Sequence, residues 1–336
     1  IVKIGLNAFN GCSNLKLELE AGNPALLAKD GVIFTKNYEV IFFPAGKSTF
    51  TIPKDMTTLP DNFAIDHGIT SMTVEEGNAS FVEEDGIVYT ADKSKVVFLP
   101  PTLTSFVISK DMTSTSLIDL LKTCKDLASV EVEEGNTAFV AYGGALYDNE
   151  WNLLLIPAAM ETYVIPAEVT TLPENVFSST KIKTITGADR TSDLELDTMQ
   201  GRGVFANMTS LTSITLPEHT TLLGYYAFAN CSNLQTVNLP STLTTIDQAN
   251  NARYSPFYNC SSLKEINVAE GNTAYVSFDG VLYSSSWTVM TFPVAKTSLV
   301  IPHNLTELGN RKVSTAVMKK LETITYEKDA DGKEVT

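Results

Sequence analysis

Short apolar/polar alternations recur along the chain, and many stop at a proline. Ile214 and Leu216 precede Pro217, Val237 and Leu239 precede Pro240, and the same ending returns at Pro53, Pro166 and Pro302. Period-two alternation rich in β-branched residues predicts half-buried strands, and proline, which lacks the N–H that a strand ladder needs, predicts where each one ends. The stretch Thr113 to Leu121 departs from this pattern and reads as more helical.

Ahead of these strands a knuckle repeats: an aromatic, two small or polar residues, cysteine, two polar residues, then leucine. It runs Phe9 to Leu15 around Cys12, Phe228 to Leu234 around Cys231, and Phe257 to Leu263 around Cys260. Degenerate copies run Phe205 to Leu211, with Met208 in the cysteine slot, and Leu121 to Leu127 around Cys124; a shortened form spans Phe177 to Ile182. Leu211 and Leu234 are 23 positions apart and Leu234 and Leu263 are 29 apart, the excess falling in Asp247 to Ser255. Insertions into a repeat array map to loops.

A longer unit is interleaved. It carries Gly-Asn and then, nine positions on, Asp-Gly or Gly-Gly: Gly22/Gly31, Gly77/Gly86, Gly135/Gly144 and Gly271/Gly280. An aromatic follows at Phe34, Tyr89, Tyr147 or Tyr283, and an apolar run then leads to Pro44, Pro100, Pro157 or Pro293. Two apolar runs joined by a short polar turn, such as Val281 to Tyr283 and Trp287 to Phe292, predict a β-hairpin in each long unit.

The Phe-x-x-Cys-x-x-Leu knuckle, the Ile-Pro strand ends and the Gly-Asn/Asp-Gly units resemble BspA-like leucine-rich repeats, which are common in exported proteins of Bacteroides-type bacteria. The resemblance covers nearly the whole chain. It implies a β-rich leucine-rich-repeat solenoid coiled as a right-handed curved superhelix, with β-hairpin elaborations in the longer repeats. One solenoid over 1–336 is expected: long hairpin-containing repeats over 1–186, an irregular insert at 187–203, short repeats over 204–263, a long repeat and C-terminal cap over 264–326, and a tail from 327. A repeat of about 23 residues cannot bury enough apolar surface to offset its chain entropy, so neighbours must stack. Leu15, Leu127, Leu211, Leu234 and Leu263 are expected to form one internal ladder, and Ile214, Val237 and Ile266 another.

Length and composition agree with an elongated core. At 336 residues the chain exceeds the size of one compact core, and 43% hydrophobic against 19% charged residues excludes disorder. The net charge of −15 would repel nucleic acid. No run of about 18 apolar residues is present to span a membrane. The opening Ile1-Val2-Lys3 lacks an initiator Met and enters mid-pattern, so a mature or trimmed exported product is expected.

The four cysteines occupy one repeat phase, three positions before a ladder leucine, where a slender apolar side chain is wanted; they are expected to be free and buried rather than disulfide-bonded. The closest pair lies 29 positions apart, too far for the short ligand spacing of a zinc site. His67, His219 and His303 occupy different repeat phases and read as surface or turn residues. The Gly46-Lys47-Ser48 end of a phosphate loop lacks its upstream glycine, since Ile41 stands there, and Asp329 to Gly332 lacks the distal ligand of a calcium loop. The Glu75-Glu76 and Glu133-Glu134 pairs point to opposite strand faces and so cannot flank one glycosidic bond; they read as solvating charges. No enzyme, cofactor or metal is expected.

Binding remains. Trp151 and Trp287 lie seven positions after a hairpin glycine, Tyr38 is equivalent, and Lys93 breaks the set. These rings either cap their own hairpins or form an aromatic row that offers stacking faces to a partner. The inserts add Arg190, Arg202, Asn250, Asn251, Arg253 and Tyr254 to an otherwise acidic chain, and loops on a rigid scaffold often carry binding. The resemblance implies a monomeric, exported, surface or extracellular protein that attaches to host or bacterial surface proteins. A second reading is glycan capture in a nutrient-uptake system.

Overall fold

The computed structural model describes residues 15, 17–20, 22–172, 176–178, 180–196, 203–247, 255–305, 320–329 and 333–334. The chain divides into two compact units, Ile1–Asn149 and Glu150–Thr336. Both are β-rich stacked coils with little helix.

The first unit alternates antiparallel meanders with pairs of parallel coil strands. β1 (Leu26–Lys29), β2 (Val32–Thr35) and β3 (Val40–Phe42) form a meander; β4 (Thr49–Ile52) lies parallel to β5 (Ser71–Val74) across the short helix α1 (Phe63–Asp66). The second meander is β6 (Phe81–Glu84), β7 (Ile87–Thr90) and β8 (Val96–Phe98). β9 (Ser105–Ile108) then pairs in parallel with β10 (Ser129–Val132) across α2 (Ser116–Thr123), the helix foreshadowed at Thr113 to Leu121. The hairpin of β11 (Phe139–Tyr142) and β12 (Ala145–Asp148) closes the unit. Phe50, Ile52, Met56, Phe63, Met72, Val88 and Phe98 form its core.

Each complete long unit therefore holds three antiparallel strands where the sequence predicts two. The Asp-Gly pair is itself a hairpin turn: Asp85 and Gly86 both have positive φ (52° and 79°) between paired β6 and β7, the two-residue geometry that matches strand twist. The Gly-Asn pair makes a different turn. Gly77, at φ 84°, sits third in a turn closed by the Asn78 N–H on the Glu75 carbonyl at 3.1 Å, a place that requires left-handed backbone.

The second unit holds β13 (Leu153–Leu155) and a five-stranded parallel sheet, in order β14 (Thr162–Ile165), β15 (Thr184–Gly187), β17 (Ser213–Thr215), β19 (Thr236–Leu239) and β21 (Glu265–Val268). A second parallel sheet orders β16 (Leu194–Leu196), β18 (Thr220–Leu223) and β20 (Thr245–Ile246). The meander β22 (Tyr275–Phe278), β23 (Val281–Ser284) and β24 (Val289–Thr291) follows, and then the parallel pair β25 (Ser298–Ile301) and β26 (Thr323–Tyr326).

Register places Tyr163 opposite Ile185, Ile185 opposite Ile214, Ile214 opposite Val237, and Val237 opposite Ile266. All five are at most 1% exposed, so the predicted Ile214-Val237-Ile266 ladder exists and runs two coils further. Leu127, Leu211, Leu234 and Leu263 are equally buried, while Leu15 is half-buried against Leu26, Ile33 and Phe42. Beside them the knuckle phenylalanines stack: Phe177, Phe205, Phe228 and Phe257 follow one another at ring-centroid distances of 5.5, 5.3 and 5.7 Å. Each coil thus buries its aromatic against the next, which is how a repeat too small to fold alone becomes stable.

Candidate binding surface

Because side chains alternate across a strand, the five-stranded sheet that buries its ladder must present the intervening positions outward. One outward row is Thr162, Thr184, Ser213, Thr236 and Glu265; the next is Val164, Thr186, Thr215, Asn238 and Asn267. Within the second row Asn238 Nδ2 donates to Thr215 Oγ1 at 2.9 Å, and Asn267 Nδ2 donates to Asn238 Oδ1 at 3.0 Å. A parallel chain of amides runs over the knuckles, with Asn230 Nδ2 on Asn207 Oδ1 at 3.0 Å and Asn259 Nδ2 on Asn230 Oδ1 at 2.9 Å. The result is an exposed or half-exposed array of hydroxyls and amides held at the strand spacing of about 4.8 Å.

The hairpin aromatics have another setting. Tyr38 (φ 62°), Trp151 (φ 63°) and Trp287 (φ 59°) are half-buried in left-handed backbone, and Lys93 shares it at φ 56°. Tyr38 lies 5.9 Å from Phe34 of its own hairpin, and Trp287 lies 5.6 Å from Tyr283 and 6.4 Å from Phe278 of its own meander. At these two corners the ring covers the hairpin that presents it. Tyr38 belongs to the first unit, and Trp151 and Trp287 to the second.

Arg190, expected as a loop contact, is turned inward and is 7% exposed. Its Nε donates to the Ser192 carbonyl at 2.7 Å and its Nη2 to the Val169 carbonyl at 2.6 Å, so it ties together backbone that no strand pairs. Burial lowers its pKa. Arg202, Asn250, Asn251, Arg253, Tyr254 and Cys12 lie outside the described residues.

Cys124, Cys231 and Cys260 are free and buried. Cys231 Sγ donates to the Phe205 carbonyl at 2.9 Å and Cys260 Sγ to the Phe228 carbonyl at 3.1 Å, so each thiol reaches back to an earlier coil. Cys124 differs, bonding the Leu120 carbonyl of its own helix at 3.6 Å. Burial raises all three thiol pKa values, to about 11 for Cys124 and about 12 for Cys231.

Two residue types mattered more than their sequence reading suggested. The first glutamates of the acidic pairs are coil ties rather than solvating charges: Glu75 accepts the Lys54 N–H at 2.7 Å and pairs with Lys29, and Glu133 accepts the Lys110 N–H at 3.0 Å. Both contacts of Glu75 lower its pKa, that with Lys29 foremost. The Gly-Asn asparagines are anchors. Asn136 Oδ1 accepts the Ala138 and Phe139 N–H groups, and its Nδ2 donates to the Ser109 and Met112 carbonyls, all at 2.8–2.9 Å. Asn78 and Asn272 repeat this set.

His67 rests against Phe43 and Phe63 (4.7 and 4.6 Å), and partial burial lowers its pKa. His303 Nδ1 lies 2.6 Å from Glu327, and His219 lies 3.5 Å from Asp193. Among the described residues no group of three or more His, Cys, Asp or Glu side chains could hold a metal ion, and no helix is long and apolar enough to cross a membrane.

The BspA-type leucine-rich-repeat region model matches residues 198–299 in six copies. No curated protein sequence matches the chain significantly. Similar solved structures include a leucine-rich-repeat protein from Eubacterium ventriosum ATCC 27560, at 20% identity over 66% of this chain and 55% of that one, with a TM-score of 0.34. The pneumococcal vaccine antigen PcpA aligns at 15% identity over 86% of this chain and 70% of that one (TM-score 0.37). A leucine-rich cell surface protein from Faecalibacterium prausnitzii A2-165 aligns at 21% over 66% and 60% (TM-score 0.33). The chain thus spans little more than half the length of the first and third. Its stacked Phe-x-x-Cys-x-x-Leu coils and the six matching repeats make residues 198–299 a leucine-rich-repeat region of the BspA type.

Proposed function

We propose that this is a non-catalytic binding protein, exported and displayed at the surface or secreted, that engages a host or bacterial surface protein through the outward face of the β14-β15-β17-β19-β21 sheet. The observation that carries the reading is the amide-linked outer row, Thr215 to Asn238 to Asn267. Side chains already held in place lose little freedom on binding, so their hydrogen bonds are spent on the partner rather than on ordering. The acidic balance argues against a nucleic-acid partner, and the family resemblance supports a surface location.

The same hydroxyls and amides would suit a glycan, which is the second reading. Both are tested by presenting the protein to a panel of host-matrix proteins and to a glycan array, alongside a variant carrying Thr186→Arg, Thr215→Arg and Asn238→Arg. These positions point outward, so the variant should melt as the wild type does. Binding to a matrix protein that disappears in the variant supports the proposal. Binding to glycans alone moves the assignment to the second reading, and binding that survives all three arginines removes this face from either.

A further inference from the structure

The first unit contains a cavity of about 200 Å³ bounded by the loop before α1, the β6-β7-β8 meander and α2. Its inner wall is apolar, with Phe81, Val96 and Leu120 buried and Leu59 and Val97 half-buried. Its outer wall is polar and under-used. Asn62 holds left-handed backbone at φ 60° without its carboxamide capping the helix that follows. The Thr57 and Thr58 hydroxyls also have no partner among the described residues. Asp61 and Lys95 complete the wall as an ion pair.

These features define a ligand class. A cavity of this size is below the range for drug-sized molecules and takes about one six-membered ring with its substituents. The two walls require one apolar face and several groups that both donate and accept. The ion pair decides the charge. An anion would have to displace Asp61 from Lys95, and a cation would have to displace Lys95 from Asp61. A neutral polyol can instead accept from Lys95 Nζ and donate to the Asp61 carboxylate while the pair stays together. A pyranose meets all three conditions, since its ring C–H groups form an apolar face and its hydroxyls edge it.

We propose that this cavity binds a single neutral sugar residue, with Asn62, Asp61 and Lys95 taking its hydroxyls and the Phe81-Leu120 wall taking its ring face. This site lies within the first unit and does not depend on the outward sheet face of the second.

The test is ligand-observed NMR on the full chain with glucose, galactose, mannose and N-acetylglucosamine, and with free leucine and proline as zwitterions of similar bulk. About a dozen non-hydrogen atoms at ordinary ligand efficiency give a Kd on the order of 1 mM. Two variants leave the fold intact. Asn62→Gly removes the carboxamide where glycine accepts the backbone, and Thr58→Trp blocks the mouth from an exposed position. Binding of at least one sugar, weakened about tenfold by Asn62→Gly and abolished by Thr58→Trp, is expected. The proposal is overturned if no sugar binds at about ten times that concentration, if either variant binds sugar as the wild type does, or if only the amino acids bind.

Discussion

The asparagine of each Gly-Asn turn offers a sharp test of how coils are held in register. Asn136 makes four hydrogen bonds, two within its own coil and two to carbonyls 24 and 27 positions earlier. In Asn136→Ala the Ala138 and Phe139 N–H groups and the Met112 carbonyl lose this partner, while the Ser109 carbonyl keeps the Met112 N–H at 3.1 Å. A buried group so orphaned costs about 1–3 kcal/mol. This site is half-buried, so water recovers part of that, and about 1 kcal/mol for each of these three groups gives about 3 kcal/mol in total. For a unit of this size that lowers the melting midpoint by about 10 °C. Asn136→Asp separates the two halves of the interaction. The carboxylate keeps the acceptor for Ala138 and Phe139 but directs negative charge at the Ser109 and Met112 carbonyls, which raises the folded-state pKa of the introduced carboxyl. A raised carboxyl pKa means that stability is present below the unfolded value of about 3.9 and is lost as pH rises through the folded value. The aspartate variant should therefore lie close to wild type near pH 4 and fall below it by pH 7. Urea unfolding at both pH values, with amide exchange at Phe139 as the local readout, measures this. An alanine variant within about 0.5 kcal/mol of wild type, the range of a neutral surface change, would refute the anchor, and so would an aspartate variant whose deficit does not grow with pH.

Three further outcomes follow from packing. Gly203→Ala would place its Cβ 1.9 Å from the Tyr226 carbonyl oxygen and 2.4 Å from Ala227 Cα; because backbone cannot step aside cheaply, expression or melting should show loss of at least about 3 kcal/mol. Gly46→Ala, whose Cβ would meet open space at φ 76°, should cost only about 1 kcal/mol of backbone strain, and equal effects at the two sites would contradict the clash. Leu234→Ala, at 0% exposure in the ladder, should cost about 2–5 kcal/mol in denaturant unfolding. Cys231 and Cys260 should resist a thiol reagent in the native chain at pH 8 and react fully once unfolded. Since burial raises their folded pKa values, the stability they contribute is present below the unfolded thiol pKa and declines as pH climbs above it.

The parallel coils were legible because a half-buried strand writes its period into the sequence: Ile214, Val237 and Ile266 alternate with polar neighbours and take the registered positions. The first strand of each meander was not. β6 begins on Phe81 but ends on Glu83 and Glu84, too short an alternation to register beside the glycine spacing, although Asp85-Gly86 was a hairpin signal in its own right. Arg190 was misplaced for a different reason. A cation in a polar stretch reads as surface, and only the folded coil supplies the Val169 carbonyl, 21 positions away, that draws it inward. The Asn136 amide was equally opaque, since its acceptors belong to an earlier coil.

The two coil types meet the same problem, fixing one coil on another, with different groups. Long coils reach back with a carboxamide, as Asn272 does to the Pro240 and Leu243 carbonyls. Short coils rely on stacked phenylalanines and on a thiol that reaches the earlier carbonyl, as Cys260 does to Phe228. In both the tie lies on the inner side of the strand or in the turn beside it. The outward positions of the parallel sheet are thereby relieved of most structural duty, and their side chains can change without loosening the stack. Such a division predicts that substitutions split by face. Thr186→Arg and Thr215→Arg should leave the melting midpoint within about 2 °C of wild type, as surface changes usually do. Val237→Ala, one strand away but facing inward, should lower it by several times that amount. Equal losses on both faces would mean that the outer hydroxyl and amide rows are structural, and the case for a presented binding surface would fail with them.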